Sequence, residues 1–139
     1  MAALFDLEIH TPYRLFYSGK AEAIIVGLVD GEIAVYANHS LFTAPVIESI
    51  LRIKDTDGNW RMAFVSRGIL EVKKKKYVLV IDSAEWPEEI NRERALEAKH
   101  QAEKAMKDSN FKFENEKTKE KLYRAELRLK VLDLCSAEK

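Results

Sequence analysis

The chain has 139 residues, with 23 basic and 23 acidic side chains, a formal net charge of zero and a single cysteine. Zero net charge argues against a generic nucleic-acid binder, which carries a basic excess. One cysteine excludes an internal disulfide framework and a zinc site built from several thiolates, and fits a reducing compartment. The N-terminal stretch MAALFDLEIH has no basic n-region and no uninterrupted apolar core, so no signal peptide is expected. No run approaches the roughly 18 apolar residues of a membrane span, so a soluble chain is expected.

Composition divides the chain after Ala84. Residues 1–84 hold 10 basic and 10 acidic side chains, and residues 85–139 hold 13 of each in a shorter stretch. All five glycines and 20 of the 23 Val, Ile and Thr residues lie in the first part. Stiff β-branched side chains suit strands and glycine suits turns. The second part is rich in Glu, Lys, Ala, Leu and Arg, which favour helix. The expectation is a β domain over 1–84 and a helical segment over 85–139, parting near Asp82 to Pro87.

In chain order, Leu4 to His10 alternates as a strand and Thr11-Pro12 breaks it. Leu15-Phe16-Tyr17 runs into a Ser18-Gly19 break, and Ala21 to Val26 is the second strand. Asp30-Gly31 is a hairpin signal. Ile33 to Ala37 and Val46 to Lys54 follow as strands, and Asp57-Gly58-Asn59 marks a turn. Trp60 to Ser66, Ile69 to Val72 and Tyr77 to Ile81 close the series, with Lys73 to Lys76 as a charged tip. Many short strands with regular turns predict an antiparallel sandwich or barrel rather than βαβ units. The four lysines of the tip read as a solvated turn that discourages edge pairing.

Pro87 with Glu88 and Glu89 marks a helix start, because proline fits the first turn and carboxylates favour the positive end of the dipole. Ala95, Ala98, Ala102 and Ala105 recur at spacings of three and four, with Met106 at the edge. Such a face of methyl groups lets a second helix approach closely. Lys107 to Asn110 reads as a break, and a second helix is expected from about Glu114 to Leu134. Its main stripe is Leu122, Ala125, Leu129 and Leu132, flanked by Tyr123, Leu127 and Leu134. Two helices of about 20 residues, roughly 30 Å each, then form an antiparallel hairpin. So polar a hairpin leans on the β domain, on a partner, or on each in turn.

Catalytic chemistry finds no constellation. His10, His39 and His100 are scattered, and no pair has helical ligand spacing. Cys135 sits beside Leu134 without a neighbouring base and reads as a packing residue. Neither a Gly-x-x-x-x-Gly-Lys loop nor a Gly-x-Gly-x-x-Gly turn occurs. The chain by itself is expected not to be an enzyme.

Several segments in order carry a family resemblance. Thr11-Pro12, Phe16-Tyr17-Ser18-Gly19, Ala21 to Ile25, Asp30-Gly31-Glu32-Ile33 and Asn38-His39-Ser40 resemble the opening of epsilon subunits of F-type ATP synthases. Leu51-Arg52-Ile53 and Phe64 to Val72 resemble a second signature of that family. Asp82 to Glu85, Ile90 to Lys99 and Arg124 to Leu127 resemble its helical part. The resemblance implies a flattened sandwich of about ten strands followed by a two-helix hairpin. It implies a non-catalytic rotor subunit that binds the gamma subunit and rests on the c-subunit ring. That places it peripherally, through the complex, on the cytoplasmic face of a bacterial cell membrane, with no nucleic-acid partner. It implies a hairpin able to extend into the alpha–beta hexamer and inhibit ATP hydrolysis.

By the same resemblance, Glu32 and His39 match loop positions that face the c ring. Lys117, Lys119, Lys121, Arg124, Arg128 and Lys130 would meet acidic segments of the beta subunits. Some members bind ATP between the helices. The matching motif here is Ile90, Asn91, Arg94 and Ala95, with Asn91 where the family has Asp. Further basic positions of that site fall on Gln101, Val131 and Cys135, so ATP binding is expected to be weak or absent, because charge-assisted bonds are the strong ones. No other cofactor is implied. Ser40 to Pro45 departs from a more proline-early pattern, and Arg67 stands where glycine is usual.

Overall fold

The computed structural model of the chain describes residues 3–108 and 112–137. They form two compact units that part between Glu85 and Trp86. The first holds ten strands: β1 (Phe5–His10), β2 (Leu15–Ala21), β3 (Ala23–Leu28), β4 (Gly31–Tyr36), β5 (Phe42–Val46), β6 (Ser49–Lys54), β7 (Trp60–Val65), β8 (Gly68–Val72), β9 (Lys76–Ile81) and β10 (Ala84–Glu85). The second holds a 3-10 turn over Pro87–Glu89 and two helices, α1 (Arg92–Asp108) and α2 (Lys112–Ala137).

The strands make a sandwich of two five-stranded sheets, ordered β2-β1-β9-β8-β5 and β10-β7-β6-β3-β4. Alternation drives the layering, because side chains of one strand point to opposite faces in turn. In β1, Phe5, Leu7 and Ile9 are buried while Asp6 is exposed. Leu7, Ile9, Ile24, Leu51, Ile53, Leu70 and Leu79 are fully buried between the sheets. Phe5 stacks on Tyr77 with ring centroids 4.0 Å apart. The Tyr77 hydroxyl donates to the Tyr36 carbonyl at 2.7 Å.

Three strand expectations are corrected. Ser18-Gly19 is not a break: both lie inside β2, where Gly19 pairs with Leu7. The bend falls at Glu22, whose N–H donates to the Lys54 carbonyl at 2.8 Å. Val46 does not open a strand running to Lys54. It ends β5 in one sheet, and Ser49 starts β6 in the other. One pair is parallel, β1 beside β9. No local signal announces that, because the two strands are about 70 residues apart in the chain.

One corner concentrates the chain's passages between sheets. Ile47-Glu48 leads from β5 to β6, Ser66-Arg67 from β7 to β8, and Asp82-Ser83 from β9 to β10. The three passages are hydrogen-bonded to their surroundings and to one another. Ser66 N–H donates to the Ser83 carbonyl at 2.9 Å, and Ser83 N–H donates to Ser66 Oγ at 2.8 Å. Asp82 N–H donates to the Arg67 carbonyl at 3.1 Å, and Arg67 Nε to Glu48 Oε1 at 2.9 Å. Ile47 N–H donates to the Gly27 carbonyl at 3.0 Å. Glu48 is 7% exposed and its carboxylate is paired, as burial of a charge requires.

In the helical unit, Arg92 Nη1 lies 3.0 Å from Asp133 Oδ1, joining the start of α1 to the end of α2. The helices therefore run antiparallel. They are unequal, 17 and 26 residues, against the expectation of similar lengths. Of the expected break, Lys107 and Asp108 are the last residues of α1, and Ser109-Asn110 lie outside the described residues. Pro87 opens only the 3-10 turn, and α1 begins after Asn91. Ala95 and Ala102 are buried as the alanine face predicts, but Ala105 is exposed. In α2, Ala125 and Leu129 are buried, yet so are Leu127 and Val131. At 3.6 residues per turn those two pairs lie on roughly opposite sides of the helix. A single stripe through Leu122 and Leu132, both only partly buried, describes one side.

The tightest backbone approach is at Gly68, where an added Cβ would stand 1.9 Å from the Val80 carbonyl oxygen and 2.7 Å from Ile81 Cα. Both obstacles are backbone, so no rotamer change relieves them. Gly68→Ala should destabilise the sandwich by about 3 kcal/mol, at the upper end of overpacking costs, as read by thermal or urea melts of the full chain.

Candidate functional site

The outer face of the β2-β1-β9-β8-β5 sheet carries the most organised exposed surface of the first unit. Leu15 pairs with His10, His10 with Val80, Val80 with Ile69, and Ile69 with Pro45. Register partners share a face, so these five residues form a straight row across all five strands. Four strand spacings make it about 19 Å long. Leu15 is 53%, Val80 52% and Ile69 48% exposed. Three large apolar side chains left half open on three strands, continued by His10 and Pro45, form one contiguous row rather than scattered exposure. Proline fits at its end because β5 is an edge strand.

The next rows on the same face are polar. Ser18, Glu8, Val78, Glu71 and Thr43 form the second, and Lys20, Asp6 and Lys76 the third. Lys20 Nζ is 2.9 Å from Asp6 Oδ1. Glu8 is paired with the Lys76 ammonium and accepts from His10 Nε2 at 2.9 Å. The hydrogen bond from Lys76, and then that from His10, hold the Glu8 carboxyl below its ordinary range. The face thus grades from apolar beside the bonded corner to charged beside the Lys73 to Lys75 turn. Sequence reading identified the strands that carry the row but not the row, because its members are brought together only by non-local pairing.

Glu32 and His39 are not neighbours. Glu32 is the second residue of β4, beside the Val29-Asp30 turn, and accepts from Arg52 Nη1 at 3.0 Å. His39 lies beyond the other end of β4, after the turn at Ala37-Asn38. Asn38 before it adopts φ 64°, and its own ring meets Phe42 edge-on at 5.0 Å. His39 N–H donates to the Tyr77 hydroxyl at 3.3 Å. Beside Glu32, Val29 is 77% exposed, so that end of the sandwich presents an apolar turn with a carboxylate.

The six basic residues of α2 that the resemblance singled out fall on two sides of the helix. Lys121, Arg124 and Arg128 line a groove of about 400 Å³ with Thr118, Ala98, Gln101, Ala102 and Ala105. Lys117 falls on the same side by helical periodicity, whereas Lys119 and Lys130 project from the opposite side. Arg124 Nη2 also lies 3.1 Å from Glu120 Oε1. The motif residues Ile90, Asn91, Arg94 and Ala95 do not line this groove. Ile90 and Ala95 are buried and Arg94 is exposed. Asn91 Oδ1 accepts from Arg94 N–H at 3.0 Å, which makes Asn91 the N-cap of α1. Val131 is fully buried, and Cys135 is a partly buried free thiol. Among the described residues, no group of three or more His, Cys, Asp or Glu is placed to hold a metal ion, and no helix is long and apolar enough to cross a membrane.

This combination defines a class: a β-sandwich with an open apolar row, joined to a pair of antiparallel helices, with no metal-holding cluster among the described residues. Residues 4–87 match the family model of the ATP synthase delta/epsilon chain β-sandwich domain, and residues 88–133 match that of its long α-helix domain. The ATP synthase epsilon chain of Caldicellulosiruptor bescii is 44% identical over 94% of this chain and 95% of its own length. That of Caldanaerobacter subterraneus subsp. tengcongensis is 40% identical over 94% and 95%. A chain of the Euglena gracilis mitochondrial ATP synthase, solved as an OSCP/F1/c-ring assembly, shares the fold with a TM-score of 0.71 at 19% identity, covering 99% of this chain and 82% of that one. A chain of the Tetrahymena thermophila central stalk and c-ring aligns at 0.62 and 12% identity, covering 94% and 98%. The chain belongs to the ATP synthase delta/epsilon family, as a non-catalytic subunit of the epsilon type.

The Asn91 cap yields a direct test. Asn91→Ala should cost the helical unit about 1 kcal/mol and raise amide exchange in the first turn of α1, while Asn91→Asp, which keeps the acceptor, should stay within a few tenths.

Proposed function

We propose that the chain is a central-stalk rotor subunit that links the gamma subunit to the c ring, docking on gamma through the apolar row of Leu15, His10, Val80, Ile69 and Pro45. The row carries this reading. It stands on paired strands, holds one histidine as its only titratable member, and is long enough to seat one element of a partner. The fold neighbours belong to assemblies described as central stalk and c-ring, which favours a stalk partner over a free-standing role. The turn at Val29-Asp30, with Glu32 beside it, is suited to meet the c ring. His39, at the far end of β4, belongs to a different surface. Such a subunit sits peripherally on the cytoplasmic face of a bacterial membrane through the complex.

The helical unit is the regulatory part of the proposal. Its cations stand on two sides of α2, so one side can face acidic segments of the beta subunits while the other holds its present contacts. Side chains on exposed helix faces form salt-sensitive pairings, which suit reversible rather than permanent docking. ATP plays a weak part or none, since Asn91 lends its oxygen to the helix cap and lacks the charge of the family's Asp.

Two outcomes follow. Ile69→Lys or Val80→Lys, on half-open positions that tolerate a long side chain, should weaken retention of gamma in a pull-down at least tenfold, while Thr43→Lys, one row away, changes it less than twofold. Unaltered retention in both row variants would place the docking surface elsewhere. Deletion of residues 86–139 should leave gamma binding intact and raise ATPase activity of the reconstituted complex. Unchanged activity would remove the inhibitory role.

A further inference from the structure

We propose that His10 makes docking of the sandwich on the gamma subunit pH-dependent, the neutral imidazole being the form that docks. This rests on the docking reading of the apolar row above. His10 stands in the row between Leu15 on β2 and Val80 on β9, its register partners. It is the row's one titratable member. The Glu8–Lys76 pair lies directly behind it on the same face, and the imidazole Nε2 reaches Glu8 Oε1 at 2.9 Å.

The charges around the ring determine the sign. On its own strand, Glu8 is already matched by the Lys76 ammonium from β9. Just before β2, Arg14 is engaged elsewhere: its guanidinium lies 5.1 Å from the Phe16 ring centroid and donates to the Ala84 carbonyl at 3.3 Å. On β8, Glu71 lies beyond Val78 and is matched by Lys73 at 3.5 Å. With His10 neutral, the His10–Glu8–Lys76 group has no net charge. With His10 protonated it carries one positive charge. Covering the row with an apolar partner removes water from that charge, and desolvation disfavours the charged form. Docking therefore favours proton loss from His10, and by linkage protonation opposes docking. Glu8, held below the ordinary carboxyl range by Lys76 and His10, stays ionised throughout the interval in which histidines titrate.

The measurement is calorimetric binding of the full chain to the gamma subunit of its own enzyme, at fixed ionic strength and about pH 8, 7 and 6. The dissociation constant of the wild type should rise about fourfold from pH 8 to pH 6. In His10→Leu and His10→Gln the ratio of the dissociation constants at pH 6 and pH 8 should fall to about one, whatever affinity each variant has at pH 8. A flat profile in the wild type, or the same rise in both variants, overturns the switch. No binding at pH 8 overturns the docking reading itself, so the two failures are told apart. Thermal melts of each variant across the same pH range check that the fold persists, because His10 is partly open and neither replacement crowds the core.

Discussion

The structure turns on the corner where the chain passes three times between its two sheets. A sandwich needs each sheet to bury one face, and short passages force the sheets into one alignment. Here Ile47-Glu48, Ser66-Arg67 and Asp82-Ser83 meet at one place and satisfy their polar groups largely on one another. Ser66 is fully buried there, with both its N–H and its hydroxyl engaged by Ser83. Gly68 has no room for a side chain, because the strand beside it runs too close. The Glu48–Arg67 pair gives the corner a charge-assisted bond at 2.9 Å beside Gly68.

Local signals made the elements legible. Alternation located most of β1, β3, β4, β6, β7, β8 and β9, and Asp55 shows why its turn was readable. Its side-chain oxygen accepts from Asp57 and Asn59 N–H at 2.9 Å each, and Gly58 supplies φ 82°. The failures are all non-local or competing. Gly19 looked like a turn because glycine usually breaks a strand, yet pairing with Leu7 keeps it extended. The Val46 to Lys54 run looked continuous because Ile47 and Glu48 interrupt the alternation only when the third dimension is known. The parallel β1–β9 pair depends on partners distant in sequence. The apolar row was out of reach for the same reason: Leu15, Val80 and Ile69 are unremarkable singly and meaningful only in register.

The helical unit repeats the lesson with different physics. Alanine spacing identified the close side of α1, since Ala95 and Ala102 are buried. Helix α2 defeated a one-stripe reading because its apolar residues fall on both sides, and a stripe presumes a single buried face. Its motif region was legible as a motif but not in its role. Asn91 keeps an oxygen acceptor where the family has a carboxylate, and that acceptor caps a helix. Capping needs a lone pair and not a charge, so the substitution preserves structure while removing the charge an electrostatic role would use.

The placement of the row relative to the corner ties fold to function. Pro45, Ile69 and Val80 are the strand residues immediately next to Val46, Gly68 and Ile81, which run into the three passages. An apolar docking row therefore stands on the most constrained part of the sandwich rather than on its loops. In the proposed rotor role the subunit transmits force, and force passes through a surface only as well as its mounting resists shear. Strands bonded into both sheets at the corner provide that mounting. The charged rows toward the Lys73 to Lys75 turn are mounted on the same strands at the opposite end, where the chain crosses from β2 to β3 at Glu22. Exposed pairs there, such as Lys20 with Asp6 and Lys73 with Glu71, contribute about 0–1 kcal/mol each and yield readily to salt. The graded face thus separates a firm seat from a soluble margin, and it places His10 and its Glu8–Lys76 neighbours on the boundary between them.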